Sequence, residues 1–255
     1  MSSKFLERLD EIREGAPPQL GFGPRRGERT PGLALIVSTE GKDGTATAAG
    51  LSPDAVIVSG TAAVDAGEIG EAAGSVRWGA RAASLSTESA AAWREAGADP
   101  IVFSLSDTAL GAVSSRDAAR VLAIDAGLTP EELRDINPLP VDAVLVSLPG
   151  NPAQWTLQDL AGIARVSGRV GKHLLAEISG APDADTLEAL RNAGVVGLVV
   201  GLSLGEEAIS GLKDALLNMP RPGADRRSRS SAILPGSVYA ARRPAPAEDD
   251  PDDDD

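Results

Sequence analysis

The chain has 255 residues, of which 42% are hydrophobic and 24% charged; this suits one domain or two small ones and excludes wholesale disorder or a fibrous repeat. It contains no Cys and one His, which excludes a disulfide scaffold, a thiolate metal site, an iron–sulfur cluster and a Cys nucleophile. The formal net charge is −13 and only 3% of residues are aromatic, so we expect no nucleic-acid partner.

Residues 1–30 are predicted to form an N-terminal helix and a connecting loop. Phe5, Leu9 and Ile12 recur at helical spacing within residues 3–13, and a stretch dense in Gly, Pro and Arg follows. The charged start lacks the apolar core of a signal peptide, and the longest apolar run, residues 193–202, is too short to span a bilayer. We therefore expect a soluble cytoplasmic protein with no membrane partner.

Eight short apolar runs follow between residues 31 and 220, each typical of a buried β-strand. They are Leu33–Ser38, Ala55–Ser59, Val76–Arg81, Ile101–Leu105, Arg120–Asp125, Ala143–Leu148, His173–Ile178 and Val195–Leu202. Their starts are about 19 to 30 residues apart, which leaves room for one helix and two short loops between strands.

Capped helical stretches lie between the runs. Ser86 and Thr129 stand where N-caps are expected, and Asp185 with Glu188 has the spacing of a capping box. A phrase that passes from a helix end into a strand recurs four times, as AAGLSPDAVIVS, REAGADPIVFS, NPLPVDAVLVS and RNAGVVGLVVG. This recurrence is typical of successive βα units.

Eight βα units in about 190 residues predict a compact α/β fold, a (βα)8 TIM barrel, with the N-terminal helix covering its bottom or packed beside it. The competing fold is an open doubly wound sheet, but the first turn, Ser38–Gly44, lacks the Gly-rich dinucleotide-binding pattern. The barrel is therefore favoured, over residues 31–220.

Residues 221–255 are predicted to be a disordered tail, Arg-rich at first and then acidic. Seven of the last eight residues are Asp or Glu, and residues 221–243 hold six Arg against one Asp. Four apolar residues in this tail have the character of a short docking segment, namely Ile233, Leu234, Val238 and Tyr239. A protein partner that binds through the tail stays open.

Side-chain alternation along the strands predicts which residues point into the mouth of the barrel, where the carboxyl ends of the strands meet. Charged residues at these positions are Glu40, Arg81, Asp125 and Glu177, with hydroxyls from Ser59, Ser104 and Ser147 at other strand ends. Two interpretations stay open. Arg81 binds an anionic substrate while Glu177 or Asp125 acts as general acid or base, or both carboxylates hold a divalent cation. In the other, Arg81 and Glu177 only neutralise each other.

The remaining ionisable residues give weaker candidates. His173 begins its strand and so lies far from the mouth, which favours a structural role. Only Lys42 of the four lysines is placed to reach the mouth, so Schiff-base chemistry is not expected. The spacing assigns no metal ligand set.

Gly-rich turns follow the last two strands. Ser179 and Gly180 come after the seventh strand, and Gly201 to Gly205 come after the eighth. This arrangement resembles the ribulose-phosphate-binding barrels, particularly the indole-3-glycerol phosphate synthase kind, although the catalytic lysines of that kind are absent here. The resemblance implies a phosphate held by backbone N–H groups at Gly180 and Gly201 and by Ser203.

The sequence thus predicts an enzyme that binds a small phosphorylated or carboxylated metabolite, with Glu177, Asp125 and Arg81 as the catalytic set and lyase or isomerase chemistry. One alternative is a barrel without catalysis that acts as a binding or assembly subunit, which short loops after the strands favour. Another is a flavin-dependent oxidoreductase. No cofactor is required by the sequence; FMN and Mg²⁺ stay open.

Overall fold

The eight apolar runs form a closed parallel barrel in the computed structural model, which describes residues 3–14 and 30–220. The strands are β1 (Ala34–Glu40), β2 (Ala55–Ser59), β3 (Trp78–Arg81), β4 (Ile101–Phe103), β5 (Arg120–Asp125), β6 (Ala143–Ser147), β7 (His173–Ile178) and β8 (Val195–Gly201). Each strand pairs with the next in the chain, and β8 returns to pair with β1. The predicted (βα)8 barrel is confirmed, and β3 and β4 are shorter than predicted.

Eight α-helices accompany the barrel in the described residues. They are α1 (Lys4–Glu14), α2 (Gly41–Gly50), α3 (Ala66–Ala73), α4 (Thr87–Glu95), α5 (Pro130–Asp135), α6 (Leu157–Arg169), α7 (Ala184–Asn192) and α8 (Glu206–Asn218). Since α1 precedes the barrel, one unit lacks an α-helix: β4 is followed by a 3₁₀ helix, Leu110–Val113. Ser86 and Thr129 cap α4 and α5 as predicted. The cap of α7 is Asp183, which accepts from Thr186 N–H, so the capping box predicted from Asp185 was wrong.

Alternation along the strands divides the buried residues into two cores, as expected for a barrel sheathed by helices. Trp78 and Ala80 of β3 point outward against the helices, whereas Val121 of β5 and Leu175 of β7 fill the barrel interior. A β-bulge in β8, where Gly197 rather than Val196 pairs with Leu175, breaks the alternation. The inward and outward faces predicted for β3, β5 and β7 are confirmed.

Helix α1 closes the bottom of the barrel. Phe5, Leu9 and Ile12 are buried and join the interior core, and full burial of such side chains stabilises a fold by about 1.5–3 kcal/mol each. The Asp99 carboxylate accepts hydrogen bonds from Ser3 Oγ and from the N–H of Phe5, and so anchors the start of α1. Covering of the bottom, one of the two placements predicted for this helix, is therefore the observed one.

Three of the four copies of the recurring sequence phrase place an aspartate just before an even-numbered strand. Asp54, Asp99 and Asp142 each accept a backbone N–H from a residue at the start of an odd-numbered strand, at Leu35, Ala119 and Arg120. Such charge-assisted bonds at the bottom of the barrel satisfy donors that no strand partner reaches. These aspartates are structural.

None of the helices in residues 3–14 and 30–220 is long and apolar enough to cross a membrane. The predicted loop before the barrel and the predicted acidic tail lie mostly or wholly outside the described residues, as do the four apolar residues proposed to dock. Their predictions therefore stay predictions.

Candidate functional site

Charged and hydroxyl residues alternate around the mouth of the barrel. The odd-numbered strands place Glu40, Arg81, Asp125 and Glu177 at or next to their last residue, and the even-numbered strands place Ser59, Ser147 and Gly201 there. Strand pairing puts Ser59 beside both Glu40 and Arg81, and Ser147 beside both Asp125 and Glu177. All four charged residues predicted for the mouth are thus at its level.

Arg81 and Glu177 meet across the mouth. Arg81 Nη1 donates to Glu177 Oε1 at 2.5 Å, and Nη2 donates to Oε2 at 3.1 Å. This two-point geometry matches the planar guanidinium to the planar carboxylate and is a strong form of ion pair. The Ser147 hydroxyl donates to Glu177 Oε2 at 2.5 Å, so the carboxylate is held by three donors.

These donors decide the charge of Glu177. Its burial raises the pKa, but the hydrogen bonds from Arg81 and Ser147 and the positive charge of Arg81 outweigh burial and hold the pKa below the usual value for a glutamate. Glu177 is consequently ionised at neutral pH. An ionised carboxylate in this position is suited to accept a proton once its hydrogen bonds from Arg81 are weakened.

A cavity of about 640 Å³ opens beside this pair, above β2, β3 and β4. Arg81 is the one charged residue among its lining residues, and hydroxyls line much of the rest: Ser59, Thr61, Ser84, Ser89 and Ser104. Trp93 and Phe103 add apolar surface. Because one cation and several neutral hydroxyls line the cavity, it is suited to a small anion that carries hydroxyl groups.

The sequence did not predict this cavity. Ser84 and Ser89 follow β3, in the loop before α4 and in its first turn, and Thr61 follows β2. The positions of these loops relative to one another are set by packing, which alternation along a strand does not report. One part of the sequence pattern did point to the cavity. A serine stands five residues after the aspartate in three copies of the recurring phrase, at Ser59, Ser104 and Ser147, and the first two line the cavity.

Gly201 lies where the phosphate contact was predicted, at the end of β8 and before a 3₁₀ helix, Leu202–Leu204. A Cβ built on Gly201 would stand 3.0 Å from Ser203 Oγ and 3.9 Å from Ser38 Oγ. Two hydroxyls therefore gather at this glycine, and any side chain there would crowd them. The structure brings Gly201 and Ser203 together.

Gly180 has a different neighbour. A Cβ on this residue would stand 3.0 Å from Pro152 Cδ and 3.4 Å from Asn151 Oδ1, because the loop after β7 packs on the loop after β6. Ser179 Oγ donates to Gly150 O at 2.7 Å across the same contact. Close packing of two loops thus accounts for a glycine at position 180. The phosphate contact of Gly180 stays a prediction.

The other predicted residues stand apart from the ion pair. Asp125 and Glu40 are exposed, and within the described part of the chain neither side chain makes an ion pair or hydrogen bond. Lys42 Nζ lies 3.3 Å from Glu68 Oε2 on α3. Across residues 3–14 and 30–220, no cluster of three or more acidic or His side chains could hold a metal ion.

His173 lies at the opposite end of the barrel, as predicted. Its Nε2 is 3.3 Å from Asp10 Oδ1 on α1, and its Nδ1 is buried without a hydrogen-bond partner in the structure. Burial lowers the pKa of the imidazole, the charge of Asp10 raises it, and the charge of Arg13 lowers it, with a net lowering. The residue is a neutral part of the contact between α1 and β7.

No protein family matches this sequence, and no curated protein matches it either. Solved structures do. Thiamine phosphate pyrophosphorylase from Pyrococcus furiosus is 14% identical, with a TM-score of 0.53 over 72% of this chain and 95% of its own. 3-Keto-L-gulonate-6-phosphate decarboxylase from Vibrio cholerae is 13% identical, with a TM-score of 0.58 over 72% and 97%.

A third similar structure is tryptophan synthase from M. tuberculosis, which is 15% identical with a TM-score of 0.61 over 85% of this chain and 98% of its own. At this level of identity the likeness shows the fold. These structures share the (βα)8 barrel fold that the resemblance to ribulose-phosphate-binding barrels implied. Function has to be argued from the site.

Proposed function

We propose that this protein is an enzyme that binds a small phosphorylated or carboxylated metabolite in the mouth of its barrel and carries out lyase or isomerase chemistry. The observation that carries the proposal is the Arg81–Glu177 pair beside a hydroxyl-lined cavity. A charge pair at the mouth of a (βα)8 barrel stands where catalytic groups of this fold lie. The similar structures named for phosphorylated compounds add support at the level of the fold.

In the proposed reaction Arg81 binds the anionic group of the substrate, and Glu177 gives a proton to, or takes one from, a carbon or hydroxyl of the same molecule. Proton transfer by a positioned carboxylate is effective when its pKa moves toward the working pH. The pKa of Glu177 rises toward the working pH when Arg81 forms hydrogen bonds to the substrate anion in place of those to Glu177. Asp125, on β5 at the same level, is the proposed second proton-transfer group.

A phosphate on the substrate is proposed to sit at Gly201, with contacts from its backbone N–H and from Ser203, and with Gly180 on the neighbouring loop. Glycine at position 201 leaves the space between the Ser203 and Ser38 hydroxyls open to an oxygen atom. Backbone donors near a short helix suit an anion. Packing of Gly180 against Pro152 makes Gly180 the weaker member of this set.

The proposal is tested by thermal unfolding of the full chain against a panel of phosphosugars, inorganic phosphate, 2-oxo acids with Mg²⁺, and FMN. A ligand at about 100 times its Kd adds about 2.7 kcal/mol to the stability and raises Tm visibly. Binding compounds are then incubated in D₂O, and we expect solvent deuterium to enter the ligand with wild-type protein and not with Glu177→Gln. Flat unfolding curves across the panel contradict the proposal.

A non-catalytic binding subunit is the second candidate, and one observation favours it. The large apolar side chains that stand exposed in the described residues all lie on loops or helix starts at the mouth end of the barrel: Val64, Leu105, Leu110 and Leu157. Exposed apolar groups on one face are typical of protein-binding surfaces. This second function would be favoured if no compound of the panel binds and if the protein forms a stable complex with a partner protein that a Leu110→Ser, Leu157→Ser double variant does not form.

A further inference from the structure

We infer that the cavity beside Arg81 binds a small hydroxylated anion together with a proton, and that Glu177 is the residue that takes up the proton. This inference rests on the proposed function and deepens it, because it names the ligand class and couples ligand binding to the protonation of Glu177. It concerns the anionic group that Arg81 binds above β2–β4, and it is separate from the phosphate position proposed at the turn after β8.

Donor capacity at Arg81 is the first support. The guanidinium has five N–H donors, and Glu177 occupies one on each terminal nitrogen. Within residues 3–14 and 30–220, the remaining N–H donors make no hydrogen bond to protein. The Arg81 side chain is 32% exposed and lines the cavity. Its guanidinium therefore has N–H groups that can donate to a ligand in the cavity.

The lining of the cavity gives the ligand class. No acidic side chain is among its lining residues, whereas five hydroxyls and Arg81 are. Within residues 3–14 and 30–220, the hydroxyls of Ser59 and Ser84 make no hydrogen bond to protein and are free to donate to an anion. Thr61, Ser89 and Ser104 already donate to other protein groups, and they can still accept from hydroxyl groups of the ligand.

The charges around Arg81 explain why a proton binds together with the anion. Arg81 and Glu177 together carry no net charge, so a bound anion leaves two negative groups around one guanidinium. The charged groups that share the mouth with Glu177 are Arg81 from β3, Glu40 from β1 and Asp125 from β5, while the adjacent strands β6 and β8 contribute Ser147 and Gly201. Only one of these groups is positive. Protonation of Glu177 is therefore the way to relieve the repulsion.

The consequence is a defined pH dependence. The free protein holds the pKa of Glu177 below its usual value, and an anion on Arg81 raises it. The complex then binds more protons than the free protein, so affinity rises as the pH falls between these two pKa values. With one proton taken up, the affinity changes by at most about tenfold per pH unit.

The test is isothermal titration of the full chain with sulfate, which does not itself titrate in the working range, at about pH 5, 6 and 7 and in two buffers of different ionisation enthalpy. We expect tighter binding at the lowest pH and a heat difference between buffers that reports proton uptake. Glu177→Gln should bind sulfate with no pH dependence. Arg81→Met should weaken binding about tenfold or more.

Two further variants separate the site from general effects. Ser59→Leu places a larger apolar side chain in the cavity next to Arg81 and should weaken sulfate binding, whereas Arg116→Met, an exposed arginine elsewhere, should leave it unchanged. Where Arg81→Met fails to fold by circular dichroism, Arg81→Lys serves, since lysine lacks the planar fork. Glycerate, glycerol 3-phosphate and neutral glycerol then distinguish a carboxylate from a phosphate ligand.

Equal binding by wild type and the Arg81 variant, binding with no pH dependence, or no binding at any pH would overturn the inference. Anion binding with proton uptake in a protein that exchanges no substrate proton would leave the inference standing and remove the proposed catalysis. Deuterium exchange that persists in Ser59→Leu would keep the catalysis and place the ligand outside this cavity.

Discussion

Arg81 on β3 and Glu177 on β7 stand on opposite walls of an eight-stranded barrel and close a two-point ion pair across its mouth, with N–O distances of 2.5 and 3.1 Å. Two strands that do not pair are thereby joined at the end of the barrel where ligands of this fold bind. Substrate binding and simple charge neutralisation are the two roles considered for this pair, and both require the contact. Measurements of the free energy of unfolding show how much the contact contributes to stability.

The pair is expected to couple in a double-mutant cycle. Arg81→Met and Glu177→Gln should each lower the free energy of unfolding by about 1–3 kcal/mol, because each leaves a partly buried group without its partner. The double variant should lose less than the sum of the two. Urea unfolding at neutral pH measures the cycle; the exposed pair of Lys42 and Glu68 is the control, with a coupling below about 1 kcal/mol. Additive losses at Arg81 and Glu177 would show that the contact contributes no stability.

Acid should remove the stability that Glu177 contributes. Since the pKa of Glu177 is lowered in the folded protein, its contribution is complete above the pKa of the unfolded chain, about 4.3 for a glutamate, and is lost as the pH falls through the lower folded value. The stability difference between wild type and Glu177→Gln should therefore shrink below about pH 4.3. In an Arg81→Met background this acid dependence should largely vanish, and its persistence there would assign it to another group.

His173 predicts a second pH dependence, at the other end of the barrel. Burial lowers the pKa of its imidazole below the ordinary value of 6.5, so the neutral form stabilises the fold at higher pH. As the pH falls from about 6.5 through the lower folded pKa, the unfolded chain takes up the proton first and stability decreases. Chemical denaturation at about pH 8 and pH 5 should show a larger loss for wild type than for His173→Gln.

The neighbours of His173 give the control. Asp10 and Asp142 raise the pKa of His173, whereas Arg13 lowers it. Asp10→Asn should therefore lower that pKa further and enlarge the loss of stability on acidification. A loss of the same size in wild type and in His173→Gln would mean that other residues, and not this imidazole, set the response near pH 6.

Gly79 on β3 should not tolerate a side chain. A Cβ there would stand 2.0 Å from Pro100 O and 2.7 Å from Pro100 N, and backbone atoms cannot turn aside. Gly79→Ala is expected to destabilise the protein by about 1–3 kcal/mol or more. Gly67→Ala in α3, where no atom lies within 4 Å of the added Cβ, should instead stabilise it by about 0.5–1 kcal/mol. Thermal unfolding of the two variants side by side checks the contrast, and a neutral Gly79→Ala would contradict it.

Much of the fold was predictable from the sequence because short apolar runs and Gly or Pro punctuation report each βα unit locally. The inward faces of β3, β5 and β7 followed from alternation, which placed Arg81, Asp125 and Glu177 at one level of the barrel. The bulge at Val196 was not predicted, since Val195 and Val196 are both apolar and suit either face of the strand. The 3₁₀ helix after β4 follows a loop in which Thr108 pairs with Leu85 of the loop after β3, and a local sequence pattern does not report such a contact between loops.

The site was predictable only in part, for a physical reason. A strand fixes the direction of its side chains, so the charged residues of the mouth could be proposed one by one. The cavity depends on where the loops after β2 and β3 lie, and its wall includes Trp93 and Phe103. The contact between Gly180 and Pro152 also joins residues far apart in the chain. A Gly-rich turn therefore predicts a close approach without saying whether a ligand or another loop approaches.

The most direct test of the proposed site is the affinity for glycerate of wild type, Arg81→Met and Glu177→Gln, measured by isothermal titration at neutral pH with glycerol as the neutral reference. The Arg81 cavity predicts that wild type binds glycerate and not glycerol, that Glu177→Gln binds it more tightly because the competing carboxylate charge is gone, and that Arg81→Met binds it about tenfold or more weakly. Equal affinity in all three proteins, or equal affinity for glycerol, would contradict an anion site at Arg81.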